Sequence, residues 1–369
     1  MEEAKDDEDG IGFERSRLLP QDSSCEIAVS RDGKYIVSGG VKNDNNPDIA
    51  TSKDEFFAMI WKTEDLGASV APTHFRKLEN EHDVRITAAA FSPSGDRVIT
   101  AGRRGQFVLW DVQTGEVLAG IFNAHNSDGV SGVFFTSDNE YISTGFDGTV
   151  RRWTISEDKL DSKVMVRANG QRNPDFVIRL RPSPDGSSFI TSDLTKDSED
   201  AYRLELNVWS STTGWIRTLP FGIVASPDDV GKPYRHDVSW SEDGSDVLYV
   251  HDGRLLVLDS TTWKVKSGHS IQGTQAAVRG AFAPGTDGGA RIATFDGRFA
   301  KMWDLESGDN LAEFRSHGPE VRASFSVDRR FVVTGSDSIR VFNADENSPE
   351  HGQTVFRLPR KVVGRRLID

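Results

Sequence analysis

General acid–base work needs a titratable pair held at short range, and one pair stands out along the chain, His125 and Asp147. An imidazole beside a carboxylate can relay a proton or activate a nucleophile. The other seven histidines fall at positions 74, 82, 236, 251, 269, 317 and 351, and no two histidines are four residues apart. Cys25 is the single cysteine, so neither a His-x-x-x-His nor a Cys-x-x-Cys ligand pair exists. Serine is common, yet no Gly-x-Ser-x-Gly elbow occurs. The run Gly285-Thr286-Asp287-Gly288-Gly289 is acidic and turn-like, a poor cradle for phosphate. These residue types assign no catalytic residue, no metal site and no cofactor.

The elements that must position these side chains belong to a chain of 369 residues with 34 Gly against 14 Pro. That balance favours many tight turns over long helices. Length alone allows two or three domains, or one large β architecture. The net charge is 44 − 57 = −13. A binder that neutralises nucleic-acid phosphates shows the reverse, so nucleic acid is not the expected partner. No apolar run reaches about 18 residues, so no membrane-spanning helix is expected. The lone cysteine and the lack of an Asn-x-Ser/Thr sequon lead us to expect an intracellular, cytoplasmic protein.

A repeat sets the frame. Short apolar segments ending in a Ser/Pro/Asp/Gly turn recur seven times, at 27–33, 89–95, 133–138, 180–186, 238–244, 280–285 and 323–328. A second apolar run follows the turn, as in Tyr35-Ile36-Val37-Ser38 and Phe331-Val332-Val333-Thr334. A third run ends in an aromatic residue or leucine: Trp61, Trp110, Trp153, Trp209, Leu258, Trp303 and Phe342. A weaker fourth run closes most units, as at 117–122. Each unit reads as three or four short strands joined by tight turns.

This pattern resembles the WD-repeat β-propeller family over residues 20–360. Asp follows Trp in Trp110-Asp111 and Trp303-Asp304, and the third unit, His125 through Asp147-Gly148-Thr149 to Trp153, matches best. The resemblance implies an all-β fold, a single closed seven-bladed β-propeller of four-stranded antiparallel blades whose innermost strands line a channel. It implies an acidic tail with a candidate closing strand at 1–19, the propeller at 20–360 and a basic end at 361–369. It also implies a buried structural tetrad of His125, Ser143, Asp147 and Trp153, which gives the acid–base pair a structural role. The second unit has His82, Thr100 and Trp110, but Arg104 where Asp is expected. The seventh has His317, Thr334 and Asp337 with Phe342 for Trp, and the sixth has Thr294, Asp296 and Trp303. The first and fourth units depart most from the pattern.

Family topology puts the second-to-third connections and the inter-blade loops on one face, the top. Three insertions fall there, at 41–55, 193–202 and 221–235. The first two read as solvated loops. The third carries Phe221, Ile223, Val224 and Tyr234, enough apolar material to order itself or to bind. Three residues before each inner-strand anchor stand Glu26, Ala88, Gly132, Arg179, Asp237, Arg279 and Arg322. Propeller symmetry would gather these positions into one ring. The charges there either pair between blades, as Arg179–Asp237–Arg279 and Arg322–Glu26, or leave the arginines to receive an acidic partner group. The expected function is a non-catalytic scaffold or sensor that binds a protein or peptide with its top face and channel mouth. A propeller enzyme with a channel site is the rival reading, and a nucleic-acid-binding propeller is the third.

Overall fold

The computed structural model of the chain describes residues 27–42, 55–62, 76–82, 86–102, 104–126, 129–156, 159–165, 174–198, 201–225, 236–251, 254–270, 279–283, 291–295, 299–305, 307–315, 322–325, 331–335, 339–343 and 354–358. Among the described residues the strands form seven four-stranded antiparallel sheets. Each sheet is built from one continuous stretch of chain, with its strands in sequence order from one edge to the other. The first strands are Ile27–Val29, Ile86–Phe91, Val130–Ser137, Phe176–Pro182, His236–Trp240, Arg279–Ala283 and Arg322–Phe325. First strands of successive sheets touch, from the first sheet through to the seventh. The fourth strand of sheet 7 is Thr354–Leu358. The acidic tail with its candidate closing strand and the basic end lie outside the described residues.

Burial explains the order within a sheet. In sheet 2 the strands Arg97–Gly102 and Phe107–Asp111 are buried almost throughout, whereas Val117–Ile121 is half exposed. In sheet 3 the last strand, Lys159–Val164, is exposed along nearly its whole length. Strands covered on both faces must be apolar on both, and the outermost need not be. The apolar clusters are therefore seams between neighbouring sheets. Sheets 1 and 2 share Val37, Ile60, Phe91, Val98 and Trp110. Sheets 2 and 3 share Ile99, Phe107, Phe135, Tyr141 and Trp153. Phe134, Ile142, Phe189 and Trp209 join sheets 3 and 4. Val208, Val238 and Leu258 join sheets 4 and 5, and Leu248, Ile292 and Trp303 join sheets 5 and 6. Trp110, Trp153, Trp209 and Trp303 thus each fill the seam with the preceding sheet.

Tyr141 stacks on Trp153 at 5.5 Å between ring centroids, and Phe107 meets both rings edge-on. The Tyr141 hydroxyl is buried with no hydrogen-bond partner among the described residues. Burial alone pushes its ionisation well above the usual phenol range. An unsatisfied buried hydroxyl costs more than a hydrogen atom in the same place. Tyr141→Phe is accordingly expected to leave stability unchanged or raise it by about 1 kcal/mol. A melting temperature several degrees below wild type would show that the hydroxyl has a stabilising partner.

The first-to-second turns of sheets 1, 4 and 5 share one chemistry. Ser30, Ser183 and Ser241 donate their hydroxyls to Asp32, Asp185 and Asp243 at 2.7, 2.6 and 2.7 Å. The amides of Lys34, Ser187 and Ser245 donate to the same oxygens at 3.0 Å. Gly33, Gly186 and Gly244 then turn the chain at φ of 71°, 72° and 72°, where a Cβ would be strained. Hydrogen bonds to the charged form favour it. The Ser30 hydroxyl and then the Lys34 amide hold Asp32 at about 2, and the Ser241 hydroxyl and then the Ser245 amide hold Asp243 at about 2. Asp185 is lowered in the same way, first by Ser183. Each is a stronger acid folded than unfolded. Its stabilisation is complete above the ordinary value of 3.8 and is lost as pH falls towards 2. Melting temperature should therefore hold near neutrality and drop between about pH 4 and pH 2. A flat melting profile across that acid window would contradict the turn hydrogen bonds.

One expectation needs correction. The polar stretch 193–202 is not a loop but the end of a β-hairpin. Strands Ser188–Ser198 and Ala201–Ser210 pair through Asp193↔Glu205, Leu194↔Leu204, Thr195↔Arg203, Lys196↔Tyr202 and Ser198↔Ala201. The following strand, Gly214–Ala225, contains Phe221 and continues the pairing through Leu204↔Ile223 and Tyr202↔Ala225. Leu194 and Leu204 are buried on one face, and pairing across the strands outweighs a composition that reads as loop. Residues 43–54 and Tyr234 lie outside the described residues.

Candidate functional site

In sheet 3 the four tetrad side chains meet. His125, from the connection after sheet 2, places Nδ1 2.9 Å from Asp147 Oδ1 and Nε2 2.7 Å from Ser143 Oγ. Trp153 Nε1 donates to the same Ser143 oxygen at 2.8 Å. Thr149 closes the group, donating its hydroxyl to Asp147 at 2.7 Å and its amide at 3.0 Å. Gly145 makes room, since a Cβ there would overlap the His125 ring. Burial opposes the charge of Asp147, but the His125 hydrogen bond and charge and the two Thr149 donors outweigh it. The carboxyl is held below its ordinary range. His125 and Asp147 are 0% and 2% exposed. Imidazole and carboxylate are sealed from solvent, and their hydrogen bonds tie an inter-sheet connection to a turn. The geometry ties loops together and presents no reactive face. It also shows that inter-sheet connections and second-to-third turns share one end of the molecule.

The Trp–hydroxyl bond recurs beyond sheet 3. Trp110 donates to Thr100 at 2.8 Å and Trp303 to Thr294 at 2.7 Å. Sheets 1 and 4, the poorest matches in sequence, have it too: Trp61 to Ser38 and Trp209 to Thr191, both at 2.9 Å. Sheet 4 replaces the rest of the network. Asp193 stands two residues beyond Thr191, as Gly145 stands two beyond Ser143. Its carboxylate accepts from Asn207 Nδ2 at 2.7 Å, and Asn207 Oδ1 accepts from Thr218 and Trp215. Sheet 5 exchanges volumes instead. Leu258 replaces Trp, and Tyr249 occupies the Ser/Thr position, both buried in the seam with sheet 4. Arg104, at the Asp position of sheet 2, is exposed. The His82 side chain, His317, Asp296 and Asp337 lie outside the described residues.

The strand pairings fix where the charged positions stand. Ala88, Gly132, Arg179, Asp237, Arg279 and Arg322 lie opposite Ala101, Thr144, Ser192, Val250, Phe295 and Gly335. Each of those residues directly follows the tetrad-type position of its second strand, so the six share one register on the first strands. Gly132 is small because the first strand of sheet 4 presses on it: a Cβ there would sit 2.6 Å from Leu180 Cβ. Asp237 is buried and forms its ion pair with Arg181, whose Nη2 is 2.9 Å from Oδ1. Arg181 Nε also donates to the Val238 carbonyl at 3.2 Å. Trp240 Nε1 donates back to the Arg181 carbonyl at 3.1 Å. An inter-sheet pairing at Asp237 is present, through Arg181, two residues along the strand from Arg179 on the same face. The side chains of Arg279 and Arg322, and all of Glu26, lie outside what the structure describes.

Sequence reasoning passed over Phe122, at the same end as His125 and 64% exposed. Its signal was weak, a lone aromatic between a strand and a turn. Among the described residues no group of three or more His, Cys, Asp or Glu could hold a metal ion.

Four-stranded sheets stacked face to face through successive first strands, with a repeated buried Trp–hydroxyl bond, define a β-propeller. Residues 74–111 and 116–154 match the family model of the WD domain, G-beta repeat. Telomerase protein component 1 of Rattus norvegicus is 22% identical over 317 residues, 79% of this chain and 10% of that protein. WD repeat-containing protein 82 of Drosophila melanogaster is 23% identical over 282 residues, 73% of this chain and 80% of that protein. The β-propeller domain of Myceliophteria thermophila Cps50 (Swd1) shares the fold, with a TM-score of 0.61 and 16% identity over 85% of this chain and 93% of that one. Two stretches of the chain thus match the WD repeat, and its fold is that of the WD-repeat β-propellers it resembles. The chain spans about a tenth of the length of the telomerase component.

Proposed function

We propose that this chain is a non-catalytic scaffold that binds a protein or peptide partner across its top face, the end carrying His125 and Asp147. At the channel mouth Arg179, Arg279 and Arg322 would receive acidic groups of that partner. One observation carries the reading: these three arginines share a single register position on first strands. A guanidinium fork suits a carboxylate in that setting. Phe122, exposed at the same end, adds apolar surface to that face. The enzyme reading is disfavoured by the sealing of the best acid–base pair. The nucleic-acid reading is disfavoured by a net charge of −13. Affinity capture with the wild-type chain, followed by mass spectrometry, should return a protein partner that competes with an acidic peptide. Capture indifferent to both salt and acidic competitor would refute the acidic contact.

A further inference from the structure

The third-to-fourth turns of sheets 2, 4, 5 and 6 are built alike, and one residue breaks the pattern. In sheet 2, Asp111 accepts the Gln113 and Thr114 amides, and the Gly115 amide donates to the Asp111 carbonyl. In sheet 5, Asp259 accepts the Thr261 and Thr262 amides, and the Trp263 amide donates to the Asp259 carbonyl. The closing residue is left-handed each time: Gly115 at φ 76°, Gly214 at 98°, Gly308 at 78°, and Trp263 at 60°. A tryptophan where sister turns use glycine is strained, and such outliers concentrate at functional positions.

Two contacts hold the strained residue's surroundings. Trp263 meets Trp240 edge to face, with ring centroids 5.8 Å apart at 85°. Trp240 is itself pinned by its indole hydrogen bond to the Arg181 carbonyl. The two indoles make a fixed, half-buried aromatic corner over the seam of sheets 4 and 5, at the end opposite His125. The first-to-second turns of those two sheets abut beside it, since a Cβ on Gly244 would lie 3.6 Å from Pro184. Those turns carry Asp185, Glu242 and Asp243, all exposed, against Lys264 in the tryptophan's own turn. Hydrogen bonding within the turn keeps Asp243 ionised down to about 2.

We propose that the Trp240–Trp263 corner is a binding site for a cationic side chain, an arginine or lysine of a basic peptide. The ring face of Trp263 supplies a cation–π contact, and the neighbouring carboxylates supply the charge complement. This site does not rest on the acidic-partner reading. It lies at the other end of the molecule and takes the opposite charge.

The test is a fluorescence-anisotropy titration of the full chain with a labelled peptide of three Ser-Gly-Arg repeats at about 0.15 M salt. Trp263→Leu keeps apolar cover and the left-handed strain but has no π-face, whereas Trp263→Phe keeps a π-face. Thermal melts check that both variants fold. The expected result is saturable binding by wild type, a loss of about threefold or more in Trp263→Leu, and a smaller loss in Trp263→Phe. The proposal is overturned if wild type shows no saturable binding up to about 1 mM. It is also overturned if Trp263→Leu loses less than that, if the two variants lose equally, or if a Ser-Gly-Glu peptide binds as well.

Discussion

Trp153→Ala is expected to be among the most damaging single substitutions in the chain. The side chain is 1% exposed and lies at the centre of the seam between sheets 2 and 3, stacked on Tyr141 and met edge-on by Phe107. Truncation leaves a cavity that rigid neighbouring strands cannot close, at a cost of about 3–5 kcal/mol. It also removes the indole donor from Ser143 Oγ, inside a network with His125 and Asp147 that has no access to water. Cavity and polar terms act together, so the melting temperature should fall by about five to ten degrees, or the protein should fail to accumulate. A melt within a degree or two of wild type would refute the role given to the tetrad.

Replacing Arg279 and Arg322 together by alanine should weaken partner binding and leave the fold intact. Both stand at the shared register position, opposite Phe295 and Gly335, on the first strands of adjacent sheets. A hydrogen bond to a charged group contributes about 1.5–3 kcal/mol, so each lost contact costs roughly 10-fold or more in affinity. If the arginines instead pair only within the protein, the double variant will melt lower and bind unchanged. The two outcomes separate cleanly in paired melting and binding measurements on the same preparations.

What could be read before the fold was known followed the strength of each local signal. His125, Ser143, Asp147 and Trp153 were legible because four residue types recur at fixed offsets within one short unit. Trp61–Ser38 and Trp209–Thr191 were not marked out, since a hydroxyl two positions along a strand is ordinary without a histidine to flag it. The Tyr249 and Leu258 exchange of volumes depends on two strands lying side by side, which no single segment reveals. The sheet 4 hairpin reads as loop because Asp, Glu and Lys are poor strand formers. Its strands are set by cross-strand pairing, a non-local effect. Arg181 was not marked out for a related reason. Alternation assigns Arg179 and Arg181 to one face of the strand, and only the packing of the next sheet shows that Arg181 reaches Asp237.

Because every sheet is one uninterrupted stretch of chain, the apolar seams from sheet 1 to sheet 6 join segments that are also neighbours in sequence. A nascent polypeptide can therefore complete sheet 1 before sheet 2 has left the ribosome, and each new sheet arrives beside a partner face already formed. Assembly becomes a directional growth process in which one exposed apolar face advances towards the C-terminus. The same locality confines damage. A lesion in the seam of sheets 2 and 3 weakens that joint directly, while distant joints feel it only through the sheets between.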